Sequence, residues 1–226
     1  MKITSKNSRT LQFAGFTLVE LLVVIAIIGI LCALTASSVS RVKESGRRLA
    51  CESNLRQVNL AIRLYADDSG GALPVLPDPN PYPNGVGAYY KELVKGYLGL
   101  SGPPAHDDKV FACPSDRIIH TGPVHAFTSY TFNGYEVGPK SMPRITGHKF
   151  EDLGNPTRAV VVGEWTAYFG GSWHPYCAKA YEDAKNMLSF ADGHADFVKI
   201  YWNGVWNSEP RDYEPPAGYQ YSWDGE

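Results

Sequence analysis

The longest apolar run of the sequence contains a single charged side chain. The run extends from Phe16 to Ala36, and its one acid is Glu20. An ionised carboxylate in an apolar span is costly unless a cation pairs with it. No Lys or Arg lies between Phe16 and Val39, so the nearest cation would be an amino group freed by cleavage before Phe16, in this chain or in a neighbouring copy. Alternatively, Glu20 lies at the edge of the span and extends to water without a partner.

The histidines and serines do not form a recognisable catalytic pattern. Ser115 and Ser189 lack the context of a nucleophile elbow, and no glycine-rich loop joins a strand to a helix. The histidines stand among loop-like segments, without a Ser, Cys or acid at a catalytic spacing. They are His106, His120, His125, His148, His174 and His194. The sequence therefore predicts no enzyme.

Four cysteines divide into one in the apolar run and three beyond it. Cys32 lies in the run, whereas Cys51, Cys113 and Cys177 follow it, where oxidation is expected. A disulfide between Cys51 and Cys113 is favoured, because it would pin a Cys-Pro loop to a helix. Cys113 to Cys177 is the main alternative, and three reduced thiols remain possible. No cysteine spacing is typical of a zinc site.

A long helix is predicted to position these residues. The apolar run is long enough to cross a bilayer, and no proline occurs between Met1 and Leu73. Beyond the run, apolar residues recur at steps of four and three on one face, while Arg56, Asn59 and Arg63 lie largely off it. That face comprises Cys51, Leu55, Val58, Ile62 and Tyr65. The pattern predicts one helix from about Thr17 to Ala66, about 75 Å long.

The second half of the sequence predicts a small antiparallel sheet. Asp192-Gly193 is well suited to the tight turn of a hairpin that His194 completes. The predicted strands are Ser129–Phe132, Arg158–Gly163, Met187–Phe190 and Ala195–Tyr201. Residues 74–104 are mostly loop, with a short helix over Tyr89–Tyr97. The predicted fold class is α+β, a long N-terminal helix packed on a small antiparallel sheet with long loops.

Charge and composition limit the partners. The chain has 21 basic and 23 acidic side chains, which give no field strong enough to attract nucleic acid. Basic residues flank both ends of the apolar run, so their count does not decide its orientation. An ordinary signal peptide with cleavage near Ala33–Ser37 is the alternative to a retained span.

The segment from Gly15 to Leu31 resembles the prepilin processing signature almost letter for letter. It begins Gly15-Phe16-Thr17-Leu18-Val19-Glu20. The resemblance to type IV pilins and type II secretion pseudopilins implies cleavage after Gly15 by prepilin peptidase and methylation of the new amino terminus at Phe16. It also implies that Glu20 pairs with the amino terminus of a neighbouring subunit during assembly. The implied partners are related pilin subunits, the peptidase, an assembly platform and the inner membrane.

Further segments are similar to a branch of pilin-like proteins, abundant in planctomycetes, that carries a histidine, nine residues and then Asp-Gly. The matching segments are Cys51-x-x-Asn54-Leu55-Arg56-Gln57, Phe111–Asp116, Ser129–Gly134 and Phe190–His194. One departure stands out, because Glu182 occupies the histidine position and the nearest upstream histidine is His174. The histidine of that motif is therefore displaced or absent in this sequence.

Three acids near the predicted hairpin are weak candidates for calcium. Asp183, Asp192 and Asp196 offer hard oxygen ligands, and related pseudopilins often bind calcium in this region. The turn explains Asp192, and solvent exposure explains the other two. No cofactor is therefore required, and calcium remains possible.

The leading hypothesis is a structural filament subunit, made as a single-pass inner-membrane precursor with a periplasmic or extracellular mature domain. The alternative is an anchored or filament-tip protein whose aromatic loops bind a ligand such as polysaccharide; an anchored hydrolase ranks last. The expected segments are a leader (1–15), a membrane or filament-core half helix (16–36), an outer half helix (37–68), a globular domain (69–206) and a C-terminal strap (207–226).

Overall fold

The computed structural model describes residues 15–75, 86–134, 136–137, 140–141, 145–175, 184–202 and 215–225. The chain divides into two compact units, Met1–Lys43 and Glu44–Glu226.

The first helix, α1, spans Leu18–Asp68 and confirms the predicted long helix. It ends where Gly70 and Gly71 adopt positive φ angles of 68° and 89°, a conformation that glycine reaches without a Cβ clash. The Gly71 N–H donates to the Ala66 carbonyl at 2.7 Å, which satisfies an orphan acceptor of the last turn.

The first unit contains the apolar part of α1. Among the described residues, α1 is the one helix long and apolar enough to cross a membrane, and its apolar window is not buried in the protein. Leu21, Ile25 and Ile28 are among the exposed side chains. Exposed apolar surface of this extent requires a lipid or protein environment.

Besides the outer part of α1, the described residues of the second unit form a short helix and six strands. Helix α2 spans Val86–Val94 and runs into a 3₁₀ turn at Lys95–Leu98, so it begins earlier than the predicted Tyr89. The strands are β1 (Tyr130–Phe132), β2 (Glu136–Val137), β3 (Lys140–Ser141), β4 (Val160–Glu164), β5 (Lys185–Phe190) and β6 (Ala195–Lys199). β2 and β3 pair only with each other.

The main sheet has the strand order β1-β4-β5-β6, and every neighbouring pair is antiparallel. β5 and β6 form the predicted hairpin, in register from Lys185 opposite Lys199 to Ser189 opposite Ala195. Gly193 turns the chain with φ of 96°. The predicted α+β fold class is confirmed.

Two apolar clusters use opposite faces of the sheet, as successive strand residues must. Met187 belongs to the cluster that contains Cys51, Leu55, Val58 and Ile62 of α1. The next residue along β5, Leu188, belongs to the other cluster, together with Tyr221 and Trp223 of the C-terminal segment. The globular part of α1 and the C-terminal segment therefore cover different faces of the sheet.

The buried face of α1 is wider than the predicted stripe. Asn59 was placed largely off that stripe, but it is fully buried. Its side-chain amide donates to Ser189 Oγ at 2.6 Å and to the Phe190 carbonyl at 2.8 Å. A polar side chain on the core face is tolerated because β5 supplies acceptors for its amide.

Candidate functional site

The start of α1 is a capping box made by Thr17 and Glu20. The backbone N–H and hydroxyl of Thr17 donate to Glu20 Oε2 at 2.8 and 2.7 Å. In return, the Glu20 N–H donates to Thr17 Oγ1 at 3.2 Å. This reciprocal pattern satisfies orphan N–H groups of the first turn and fixes the start of the helix. The signal Thr-x-x-Glu was present in the sequence, yet the capping role of Thr17 was not predicted.

A disulfide in the second unit joins Cys51 of α1 to Cys113. It is the pairing favoured over Cys113 to Cys177, and Cys177 lies outside the described residues. Close by, the Asn54 side chain donates to the carbonyls of Lys109 and Ala112 at 3.3 and 3.0 Å. The Cys-Pro loop is therefore pinned to α1 by one covalent bond and two hydrogen bonds.

A buried network fixes the other side of this loop. Ser129 Oγ accepts the Cys113 N–H at 2.9 Å and donates to Asp116 Oδ2 at 2.7 Å. The Asp116 carboxylate also accepts the backbone N–H groups of Ile118, Ile119 and His120. Segments 111–116 and 129–134, both quoted for the pilin-like branch, thus meet through hydrogen bonds that hold the loop.

Next to the disulfide, His174 lies between two carboxylates. Its Nδ1 is 2.9 Å from Glu44 Oε1, and its Nε2 is 2.9 Å from Glu164 Oε1. The side chains of His174 and Glu164 are fully buried, and that of Glu44 is 10% exposed. An imidazole donates from both nitrogens only when it is protonated, so this geometry fits an imidazolium between two carboxylates.

The carboxylates of Glu44 and Glu164 also accept hydrogen bonds from groups other than His174. Ser115 Oγ donates to Glu44 Oε1 at 2.8 Å. Glu164 accepts the Trp173 indole N–H at 2.9 Å and the Met187 backbone N–H at 2.9 Å. Buried charges persist when they are paired and hydrogen-bonded in this way.

The charge pairing moves two pKa values in opposite directions. Burial alone would lower the pKa of His174, but its bonds and charge interactions with Glu164 and Glu44 outweigh burial and raise it. Burial alone would raise the pKa of Glu44, but hydrogen bonds from His174 and Ser115 lower it overall. Both shifts favour the charged pair near neutral pH.

Four parts of the chain build this cluster: α1, the Cys-Pro loop, the end of β4 and the segment after β4 that carries His174. Glu44 lies on α1, Cys113 and Ser115 lie in the Cys-Pro loop, and Glu164 ends β4. The Cys113 Sγ is 3.8 Å from His174 Nε2. One ligand atom from each of Cys51, Cys113, Glu164 and His174 lies within 4.8 Å of the others. No local sequence pattern indicates this cluster, because Glu44, the Cys-Pro loop and the pair Glu164 and His174 are far apart in the chain.

Residues 12–36 match the family model described as the prokaryotic N-terminal methylation motif. The chain carries a type IV pilin-like prepilin signal. No curated protein and no solved structure matches the chain. The resemblance to the branch with histidine, nine residues and Asp-Gly is not confirmed by this match.

The prepilin signal contains Gly15, Phe16 and Glu20, the residues that the sequence predicts for cleavage, methylation and assembly. Gly15 and Phe16 immediately precede the capping box, and Phe16 is exposed. Glu20 is the carboxylate of that box. The processing, methylation and assembly roles of these three residues remain predictions.

The hairpin residues form a local cluster of their own. Asp192 Oδ1 accepts from the His194 N–H at 3.0 Å and lies 2.5 Å from its Nδ1. The His194 ring stacks on Phe190 with centroids 4.3 Å apart. These contacts explain Asp192 and His194 as parts of the turn.

The calcium hypothesis stays a prediction. Asp183 lies outside the described residues, as does Glu182. Asp196 accepts its neighbouring Phe197 N–H at 2.6 Å.

Several aromatic residues in the second half of the chain belong to the core. Trp165, Tyr168, Tyr221 and Trp223 are all buried. Tyr168, Tyr221 and Trp223 fill the cluster on the C-terminal face of the sheet. Their rings serve packing, as large aromatic side chains in small domains commonly do.

Proposed function

We propose that the chain is a structural subunit of an extracytoplasmic helical filament, either a type IV pilus or a type II secretion pseudopilus. One observation carries the proposal: a prepilin signal leads directly into a 51-residue helix whose apolar first part is exposed. In a precursor, that exposed part suits a bilayer; in a filament, it suits the packed helices of other subunits. Both environments remove apolar surface from water.

In this proposal, prepilin peptidase cuts after Gly15 and the new amino terminus at Phe16 is methylated. The precursor crosses the inner membrane once, and the globular domain lies on the periplasmic or extracellular side. The mature subunit joins related pilin subunits with the help of an assembly platform. No catalytic group is required, in keeping with the structural role that the signal indicates.

Glu20 has two successive roles in the proposed function. In the precursor, it caps α1 through Thr17, which allows the carboxylate to exist at the edge of an apolar helix. After cleavage, the free amino group at Phe16 becomes a partner for a carboxylate. When subunits stack, the amino terminus of one copy neutralises Glu20 of another, so that burial of the charge depends on assembly.

Two substitutions distinguish the capping role of Glu20 from its pairing with an amino terminus. Glu20→Ala removes the carboxylate, and we expect normal cleavage and membrane insertion but at least a tenfold loss of the chain from sheared filaments. Thr17→Ala is the matched control, because it weakens the cap by about 1 kcal/mol and keeps the carboxylate. It should retain most of the filament yield. Immunoblots of whole-cell and sheared fractions measure both, and an unchanged yield with Glu20→Ala refutes the pairing role.

A further inference from the structure

The buried cluster around the disulfide contains four possible metal ligands that the filament proposal does not use. Two sulfurs, one carboxylate oxygen and one imidazole nitrogen lie within 4.8 Å of one another, from Cys51, Cys113, Glu164 and His174. All four residues are buried. We propose that, when the Cys51–Cys113 disulfide is reduced, these four side chains form a tetrahedral site for Zn²⁺.

The donor set suits zinc. Two thiolates, one imidazole and one carboxylate give the four-coordinate mixture of S, N and O ligands that structural zinc prefers. With Zn–S and Zn–N bonds of about 2.3 and 2.0 Å, a tetrahedral centre holds the sulfur and the nitrogen about 3.5 Å apart. Cys113 Sγ and His174 Nε2 are 3.8 Å apart. A metal between them therefore requires little movement of the imidazole.

The outer shell of such a site is already in place. Glu44 Oε1 lies 2.9 Å from His174 Nδ1, the nitrogen that faces away from the sulfurs. A carboxylate at this position fixes the tautomer and orientation of a zinc-bound histidine. The Met187 N–H donates to Glu164 Oε2, and the other oxygen, Oε1, lies next to His174 Nε2. Oε1 is therefore placed to coordinate a metal bound to that nitrogen. These contacts orient two of the four ligands before any metal arrives.

The disulfide and the zinc site exclude each other, because both use the same two sulfurs. Reduction by an external dithiol passes two electrons and two protons to Cys51 and Cys113, and the dithiol becomes a disulfide. Zinc binding then releases both thiol protons and the proton on His174 Nε2, while Glu44 keeps the proton on Nδ1 in place. In the globular unit, α1 is thus joined to the Cys-Pro loop by a disulfide when the two cysteines are oxidised. When they are reduced, a bound metal ion joins the same two segments.

The test uses the full-length chain in detergent with Cys32→Ser and Cys177→Ser, so that the two site cysteines are the only thiols. The protein is reduced with a dithiol, desalted without oxygen and titrated with Zn²⁺ against a chromophoric chelator. We expect one zinc per reduced chain and none per oxidised chain. Co²⁺ in place of Zn²⁺ should show a thiolate-to-metal charge-transfer band and the strong visible bands of tetrahedral coordination.

Three variants identify the ligands. His174→Gln and Cys113→Ser each remove a ligand, and Cys113→Ser should also reduce the charge-transfer intensity, because only one of the two thiolates remains. Glu44→Gln changes only the outer shell and should weaken zinc affinity about 10–100-fold while keeping the cobalt spectrum. His106→Gln is the matched control, since its side chain is 60% exposed, and should bind like the parent.

Two results would overturn the proposal. The first is a folded reduced chain that binds no more zinc than the oxidised chain. The second is a cobalt complex without thiolate bands. If reduction unfolds the domain, added zinc should restore its circular dichroism spectrum, because binding to the folded state alone stabilises that state. Failure to restore it also refutes the site.

Discussion

At the scale of single residues, the molecule depends on charges whose partners are supplied by tertiary structure. His174 is the centre of one such group, with carboxylates at 2.9 Å from each ring nitrogen. Removing the imidazolium leaves two buried carboxylates facing each other without a cation between them. We therefore expect His174→Ala to lower the free energy of unfolding by about 3–5 kcal/mol.

Urea unfolding of the oxidised chain, followed by tryptophan fluorescence, measures this loss. His106→Ala is the control, because that histidine is 60% exposed and surface substitutions usually change stability by about 0.5 kcal/mol or less. Equal stability of the two variants would show that the ion group contributes nothing.

A second charged pair should govern the acid limit of stability. Lys91 Nζ lies 2.8 Å from Asp108 Oδ2, with Lys91 fully buried. Burial alone would raise the pKa of Asp108, but the bond from Lys91, the Ala105 N–H and the charge of Lys95 lower it overall. A carboxyl group whose folded-state pKa is depressed stabilises the fold above its unfolded pKa, about 3.9, and loses this contribution as the pH falls below it.

Asp108→Asn should therefore flatten the fall in stability below about pH 4. Asp107→Asn is the neighbouring control, because the Asp107 side chain is 95% exposed, and it should keep the acid limb of the parent. Thermal unfolding midpoints between pH 2.5 and 7 decide the point. Parallel curves for Asp108→Asn and the parent would refute the role of the pair.

At the scale of secondary-structure elements, the sequence predicts α1 but not which residues of the loop and strands contact it. The absence of proline, the apolar spacing and the glycines after Asp68 are local signals, and they gave the helix to within two residues at its end. The Asp-Gly turn likewise gave the β5–β6 hairpin. β6 ends at Lys199, two residues before the predicted Tyr201, because strand ends depend on pairing rather than on propensity.

The cluster around His174 shows why the long-range polar contacts could not be predicted from the sequence. Glu44 and His174 are 130 residues apart in sequence, and each is unremarkable among its own neighbours. Only the packing of α1 against the loop and β4 brings them together. Asn59 was misplaced for the same reason, since its acceptors lie on β5. Long-range polar contacts leave no periodic trace in the sequence.

The disulfide provides a prediction at this scale. It closes a loop of 62 residues between α1 and the Cys-Pro loop, and loops of this size are associated with a stabilisation of about 4 kcal/mol. Cys51→Ser with Cys113→Ser should lower the free energy of unfolding by about 2–5 kcal/mol in metal-free buffer. Cys32→Ser, at an exposed cysteine, should change it little, and an equal loss in both variants would contradict the role of the bridge.

At the scale of the whole molecule, the chain has two units with different surfaces. The first unit carries an exposed apolar helix that needs a bilayer or other helices. The second unit is a closed α+β domain whose sheet is covered on both faces. In the proposed function, the helix that follows the prepilin signal anchors the precursor and then joins the filament core.

The most direct test of the filament proposal is the chemical identity of the chain in sheared surface material. Cells that express the chain are sheared, the released material is imaged, and its subunits are analysed by mass spectrometry. The account predicts regular filaments whose subunits begin at an N-methylated Phe16 and which disappear when Gly15→Leu blocks cleavage. Processed chain that occurs only as membrane-bound monomer, with no filaments containing it, would contradict the proposal.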